Sequence, residues 1–237
     1  MTKLHLITGA SGPLGLELAK TFLENGDRCI FVVRDSNKFK SLLSYKPGAY
    51  DVWETNLEDE KQIEGVCAKI ENHDKNFWSF IHLAATSPQD RFDSRLLQKV
   101  FLVNVFSAWQ LASACIAKMA HTGGGRIVFA GSIGHKFGGK SDRAGYSGSK
   151  FTLEYFPCQF RNCAANNVLV NTLRIGVMKG GTQNSSDVGE IEFQNRVKLI
   201  PTGKEITNSE AVRNILFLCS QNNKSIHNSV INCSGGE

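Results

Sequence analysis

Tyr146-Ser147-Gly148-Ser149-Lys150 sets a phenol and an ammonium four residues apart. On a helix, positions i and i+4 share a face, so the two groups point the same way. A free tyrosine titrates near ~10. A lysine cation beside it stabilises the phenolate and lowers that value, so the hydroxyl can pass a proton to or from a carbonyl oxygen at neutral pH. Ser132 stands just after an apolar run, where its hydroxyl can polarise the same oxygen. Asn104, in Val103-Asn104-Val105, lies inside a long helical pattern; taken alone it is equally an amide packed between helices. The set suits proton transfer at a carbonyl or an alcohol, and the matching hydride has to come from a cofactor.

These groups need a frame to hold them. Short apolar runs alternate with helical patterns from end to end. Strands are expected at 3–8, 28–33, 50–54, 78–84, 126–130, 168–173 and 229–232. Helices are expected at 13–24, 37–43, 59–71, 94–121, from Tyr146 to about Asn166, and at 208–220. Strands apolar on both faces and separated by helices imply a parallel sheet covered on both sides. The fold class expected is α/β, a Rossmann-like doubly wound parallel sheet of about seven strands. Its ligands should bind beyond the C-terminal strand ends, where strand order reverses. Residues 1–237 read as one domain, with a substrate lid at about 178–202 that carries Lys179, Glu190, Glu192, Arg196 and Lys198. Pro157 removes a backbone hydrogen bond and clashes with the carbonyl of Leu153, so a kink or break is expected between Leu153 and Pro157.

The first strand runs directly into Thr8-Gly9-Ala10-Ser11-Gly12-Pro13-Leu14-Gly15 and then a helix. Glycines let backbone amides approach a pyrophosphate, and a helix N-terminus adds partial positive charge. Gly9, Ser11, Gly12, Leu14 and Gly15 are therefore candidate phosphate contacts. The second strand ends in Val33-Arg34-Asp35. An arginine there pairs with a ribose 2′-phosphate, whereas an acid binds a 2′-hydroxyl. Arg34 comes first, which favours NADP(H); Asp35 leaves NAD(H) open. His82, inside an apolar strand, reads as a hydrogen-bonded structural group rather than an acid or base.

The Thr8–Gly15 loop, YxxxK at 146–150, Ser132 and Asn104 together resemble the single-domain short-chain dehydrogenase/reductase family, and within it 3-oxoacyl-carrier-protein reductases. The resemblance runs from residue 3 to 236. It implies that Asn104 holds a water in the proton relay and that Lys150 also binds the nicotinamide ribose. It implies cofactor contacts from Asn56 and Leu57, from Ala84 and Ala85 where the family has NNAG, and from Ile175, Gly176 and Val177 near the family's PG turn. The chain departs from the pattern in Pro13, where the family has a glycine, in Asn56, in Ile81-His82-Leu83-Ala84-Ala85, and in Ile175. Family members commonly pair through the long helix and the tyrosine helix, so a homo-oligomer is expected, a dimer before a tetramer. The apolar residues of those helices, Leu96, Leu97, Val100, Phe101, Leu111, Ile116, Phe151, Leu153, Tyr155, Phe156 and Phe160, exceed what one sheet face needs.

Composition narrows the alternatives. The chain has 237 residues, 41% hydrophobic and 21% charged, an ordinary globular mix. Its formal net charge of +5 is spread along the sequence, which suits an anionic ligand and gives little support to nucleic acid. No run of 18 uninterrupted apolar residues is present, so no membrane span is expected. The N-terminal apolar run is too short for a signal peptide, so a cytoplasmic protein is expected. Seven cysteines without CxxC and six scattered histidines point to reduced thiols and no metal site. Two other functions stay open. IHLAA is similar to a segment of sugar-nucleotide epimerases and dehydratases, although only about 60 residues follow the sixth strand, too few for their substrate domain. A non-catalytic cofactor-binding sensor would not need the Asn, Ser, Tyr, Lys set.

Overall fold

A computed structural model describes residues 2–46, 48–179 and 187–237, apart from the side chains of 187 and 188. In chain order the elements are β1 (Leu4–Thr8), α1 (Pro13–Glu24), β2 (Arg28–Val33), α2 (Ser36–Leu42), β3 (Tyr50–Glu54), α3 (Glu60–Glu71) and β4 (Ser79–His82). They continue with α4 (Ser94–Phe101), α5 (Ser107–Ala120), β5 (Gly125–Ser132), α6 (Ala144–Thr152), α7 (Cys158–Asn162) and β6 (Val168–Ile175). α8 (Asp187–Val197), α9 (Asn208–Cys219) and β7 (Ser229–Cys233) complete the order.

The strands form one seven-stranded sheet in the order β3-β2-β1-β4-β5-β6-β7. All neighbouring pairs are parallel. Side chains alternate across each strand, so neighbouring residues feed opposite cores. Leu6, Ile30, Phe80 and Ile127 meet Ile63 and Val66 of α3 and Leu111 and Cys115 of α5 on one face. Ile7, Phe31, Ile81 and Val128 meet Leu18 and Phe22 of α1 and Ala211 and Ile215 of α9 on the other. Each fully buried large side chain here contributes roughly 1.5–3 kcal/mol. Strand order reverses at β1, which lies between β2 and β4, and that reversal opens a crevice beyond their C-terminal ends.

Three expectations change in detail. Strand four is shorter and ends at His82, leaving Leu83 to Ala85 as open backbone. Strand five extends to Ser132, so that residue is the strand's last rather than the one after it. The long helix is continuous through a π turn at Leu102–Phe106, which centres on Asn104. The segment Ser94–Ala120 is long and apolar enough to cross a membrane, a length the uninterrupted-run criterion passes over. It lies against α3 and the sheet, with Asn104 and Ser107 fully buried in it, as expected of a core helix.

The tyrosine helix breaks, and the physical reason is on both sides of the gap. α6 ends at Thr152, and Pro157 caps α7 in extended geometry. The Leu153 carbonyl that a proline four residues on cannot serve instead accepts from the Thr172 hydroxyl at 2.5 Å. Glu154 N–H and Tyr155 N–H turn back onto Phe151 and Thr152 carbonyls at 2.9 and 3.1 Å. The half of the helix that carries Tyr146 and Lys150 is untouched. Of the expected lid, 180–186 lie outside the described residues; α8 occupies its second half.

Candidate active site

The crevice begins at the turn after β1. Gly9 has a φ of +71°, and a Cβ there would stand 2.5 Å from the Ala84 nitrogen, so only glycine lets the turn press on the end of β4. Gly12 N–H donates to the Gly9 carbonyl at 3.2 Å. Pro13 takes the first position of α1, where an N–H would have no helical partner in any case. The Leu16 N–H is the first that α1 satisfies internally, at 2.8 Å to Gly12. Leu14 and Gly15 N–H groups have no acceptor among the described residues, so they are what the positive end of α1 offers an anion. Gly15 also serves packing, since a Cβ there would meet the Gly9 carbonyl oxygen at 2.5 Å.

A cleft of about 420 Å³ runs outward from this loop. Its lining includes Gly9, Ser11, Gly12, Arg34, Asn56, Leu57, Ala84 and Ala85 from the residues expected. Lys38, Thr55, Glu58, Thr86 and Val103 were not anticipated. Lys38 could have been, because it lies one helical turn past Arg34. Asp35 also lines the cleft, but its carboxylate caps α2 by accepting from Lys38 N–H at 2.8 Å. Arg34 and Lys38 are the cations that line this end of the cleft, with Asp35 and Glu58 as its acids. Asn56 Oδ1 accepts from Glu58 N–H at 3.1 Å, which fixes the turn after β3. Leu14, Gly15, Tyr146, Lys150, Ile175, Gly176 and Val177 do not line the cleft. Ile175 ends β6 and the other two follow it, where Gly176 N–H donates to the Cys233 carbonyl at 2.8 Å and the Val177 carbonyl accepts from Ile206 N–H at 2.8 Å.

His82 closes the floor. Its Nδ1 lies 3.0 Å from Thr8 Oγ1, which also accepts from Ala84 N–H at 3.3 Å. Burial, with the Lys150 charge second, pulls its pKa down to about 3, so the ring is neutral and structural, as the sequence suggested.

Tyr146 and Ser132 meet beyond the end of β5. The Ser132 hydroxyl acts on the Tyr146 phenol, and Ser132 Oγ accepts from Gly134 N–H at 3.2 Å. Burial raises the phenol's pKa; the Ser132 bond and then the Arg143 charge oppose it. Lys150 Nζ donates to the Ala130 carbonyl at 2.7 Å and lies 5.8 Å from the centre of the Tyr146 ring. Burial brings its own pKa down to about 8. Asn104 is fully committed as a donor. Its Nδ2 donates to the Thr86 carbonyl at 3.1 Å and to Ser149 Oγ at 2.9 Å, while Oδ1 accepts from Thr86 N–H at 2.8 Å. The side chain therefore ties the cleft wall to the tyrosine helix.

Residues 3–191 match the family described as short chain dehydrogenase. The chain is 26% identical over 242 residues to the 3-oxoacyl-acyl-carrier-protein reductase of Aquifex aeolicus, covering 99% of this chain and 96% of that one. It is 24% identical over 222 residues to carbonyl reductase family member 4 of Xenopus tropicalis, with 92% and 91% covered. Among solved structures, ElxO with NADP bound superposes with a TM-score of 0.87 at 22% identity, over 100% of this chain and 98% of that one. That likeness is one of fold.

Proposed function

The chain belongs to the short chain dehydrogenase family of oxidoreductases, and from that premise we propose that it reduces a carbonyl to an alcohol, or runs the reverse, with NADP(H). The observation that carries this reading is Tyr146 set against Ser132 at the end of β5, with Arg34 and Lys38 in the cleft that runs out from the β1 turn. The cleft's length, the open Leu14 and Gly15 amides and the Arg34–Lys38 pair fit the adenosine 2′-phosphate half of the cofactor. The NADP-bound state of ElxO is consistent with that choice. When bound, the cofactor supplies or accepts the hydride. Ser132 orients the substrate oxygen. Tyr146, kept protonated by burial, gives that oxygen its proton. Lys150 would bind the nicotinamide ribose, and Asn104 would hold the relay region in place.

The experiment is the loss of reduced-nicotinamide absorbance over a panel of ketones and oxo acids, run with NADPH and with NADH. NADPH should be preferred at least tenfold, and Arg34→Ala should erase most of the preference, since a charge-assisted bond of roughly 1.5–3 kcal/mol is removed. Equal use of the two cofactors by the unmodified protein would shift the ribose contact to Asp35 and refute the choice.

Self-association belongs to the same reading. Leu153 and Phe160 are used in the core, whereas Phe106, Phe151 and Tyr155 stay 46%, 63% and 65% exposed. We infer that a second copy covers this patch. Light scattering at micromolar concentration should give a dimer mass; a monomer mass would rule out the pairing.

A further inference from the structure

The tyrosine helix takes its cap from another part of the chain. Arg143 stands at the N-cap of α6, and a guanidinium has no acceptor to give the first open N–H groups. Asp90, only 1% exposed, supplies one: its Oδ2 accepts from Gly145 N–H at 2.8 Å, one residue before Tyr146. Its own N–H donates to the Asp142 carbonyl at 2.7 Å, so both sides of the N-cap are held. A Cβ on Gly145 would stand 3.0 Å from Asp90 Oδ2 and 2.7 Å from Leu97 Cδ2, so glycine admits that approach. The turn that delivers the carboxylate is strained. Arg91 and Phe92 take φ of +41° and +63°, and Phe92 is 73% exposed, so packing of its ring does not offset the strain. Asp90 holds that turn as well, accepting Phe92 N–H on Oδ1 at 3.1 Å and Asp93 N–H on its carbonyl at 2.6 Å. Four residues earlier, Thr86 lines the cleft, and Asn104 clamps both its N–H and its carbonyl. The stretch 86–90 therefore ties the cleft wall to the start of the helix that carries Tyr146.

We propose that Asp90 is a positioning residue for the reaction: by capping the tyrosine helix from the cleft wall, it sets where the Tyr146 hydroxyl stands against Ser132. α6 has nine residues, about two and a half turns, so the way its start is held decides its aim. A carboxylate on the first open N–H groups also meets the positive end of the helix, which strengthens the hold. Proton transfer to a carbonyl oxygen tolerates little error in that aim, whereas the cofactor's adenosine half, bound at the other end of the cleft, does not depend on it. The proposal deepens the reductase reading and rests on it.

The test compares the unmodified protein with Asp90→Ala in three measurements: turnover of the best carbonyl substrate, NADPH affinity by fluorescence titration, and amide hydrogen exchange. kcat should fall by about tenfold or more, while NADPH affinity changes by less than about twofold. Exchange across 144–149 should quicken by about tenfold or more, and exchange across α9 should not change. In the Tyr146→Phe background the same substitution should cost less than about twofold in kcat, because a residue that acts through the phenol has nothing left to position. Asp90→Asn, which keeps the shape and one acceptor oxygen, should restore part of the loss, and it carries the same comparisons if Asp90→Ala does not fold. Full turnover in Asp90→Ala would overturn the proposal. So would a loss as large in the Tyr146→Phe background as in the native one, which is what general destabilisation produces. An unmodified protein that consumes no NADPH with any carbonyl compound would refute the reductase reading instead. Exchange then decides the clamp alone, and unchanged rates across 144–149 in Asp90→Ala would overturn it.

Discussion

Tyr146→Phe should lower turnover by about a hundredfold or more, the scale of a lost general acid or base, with cofactor affinity little changed. The substitution keeps the ring, so the contact with the Lys150 ammonium 5.8 Å from its centre survives. Only the transferable proton and the phenol's interaction with Ser132 go. Ser132 keeps its contact with Gly134 N–H, so its hydroxyl stays at the strand end. The stability cost should be that of one hydrogen bond, about 1 kcal/mol, too small to account for the lost rate. Burial and the electrostatics around the phenol give the loss its meaning. In reduction, the nascent alkoxide needs a donor that is still protonated at neutral pH, and burial ensures that. Steady-state rates with NADPH and the best carbonyl substrate decide the matter. Full activity in the variant would remove Tyr146 from the mechanism.

The frame of this site was legible because burial on both faces of a strand leaves a mark on every residue. RCIFVV and KLHLIT read as strands, and β2 and β1 occupy them, the latter from Leu4. Strand ends were harder to read, because Ala130-Gly131-Ser132 continues the hydrogen-bonding of β5 against β6 without continuing its apolar run. The break before Pro157 was legible from the proline's missing N–H. What was not legible is how the freed carbonyl of Leu153 would be satisfied, since Thr172 is a tertiary partner.

Within the site, local patterns are legible in the sequence and rotamers are not. The Gly9 turn, Arg34 and the 146–150 spacing are short-range patterns. Lys150 pointing to Ala130 rather than toward the phenol, and Asn104 closing on Thr86 and Ser149, depend on which donors surround a buried side chain. No sequence spacing encodes that.

The broken helix also explains the largest stability effect to expect, that of Glu154→Ala. By leaving the helix at Thr152, the chain turns Glu154 toward β6. There its carboxylate accepts from Arg174 Nε at 2.7 Å and from the NH2 group at 2.5 Å, and lies 2.6 Å from His135 Nε2. Glu154 and His135 are each 8% exposed and Arg174 16%. Burial pushes the carboxyl's pKa up, but the Arg174 and His135 bonds outweigh it and hold the group below the usual carboxylate range. Removing the carboxylate leaves a guanidinium and an imidazole facing each other without their acceptor, a loss of about 3 kcal/mol. The low end of that range applies because Arg174 keeps Asn232 Oδ1 at 3.0 Å. The pH dependence has a definite sign. A carboxyl whose folded pKa lies below its unfolded value, about 4.3, contributes stability above that value and loses it as pH falls through the folded one. Urea midpoints should therefore separate the variant from the unmodified protein widely at neutral pH, and the gap should narrow as pH drops below about 4. Glu154→Gln, which keeps an acceptor oxygen, should fall between them. Coincident midpoints at neutral pH would mean that the cluster is held by packing alone. A gap that widens in acid would mean that the carboxyl is raised in the fold, not lowered.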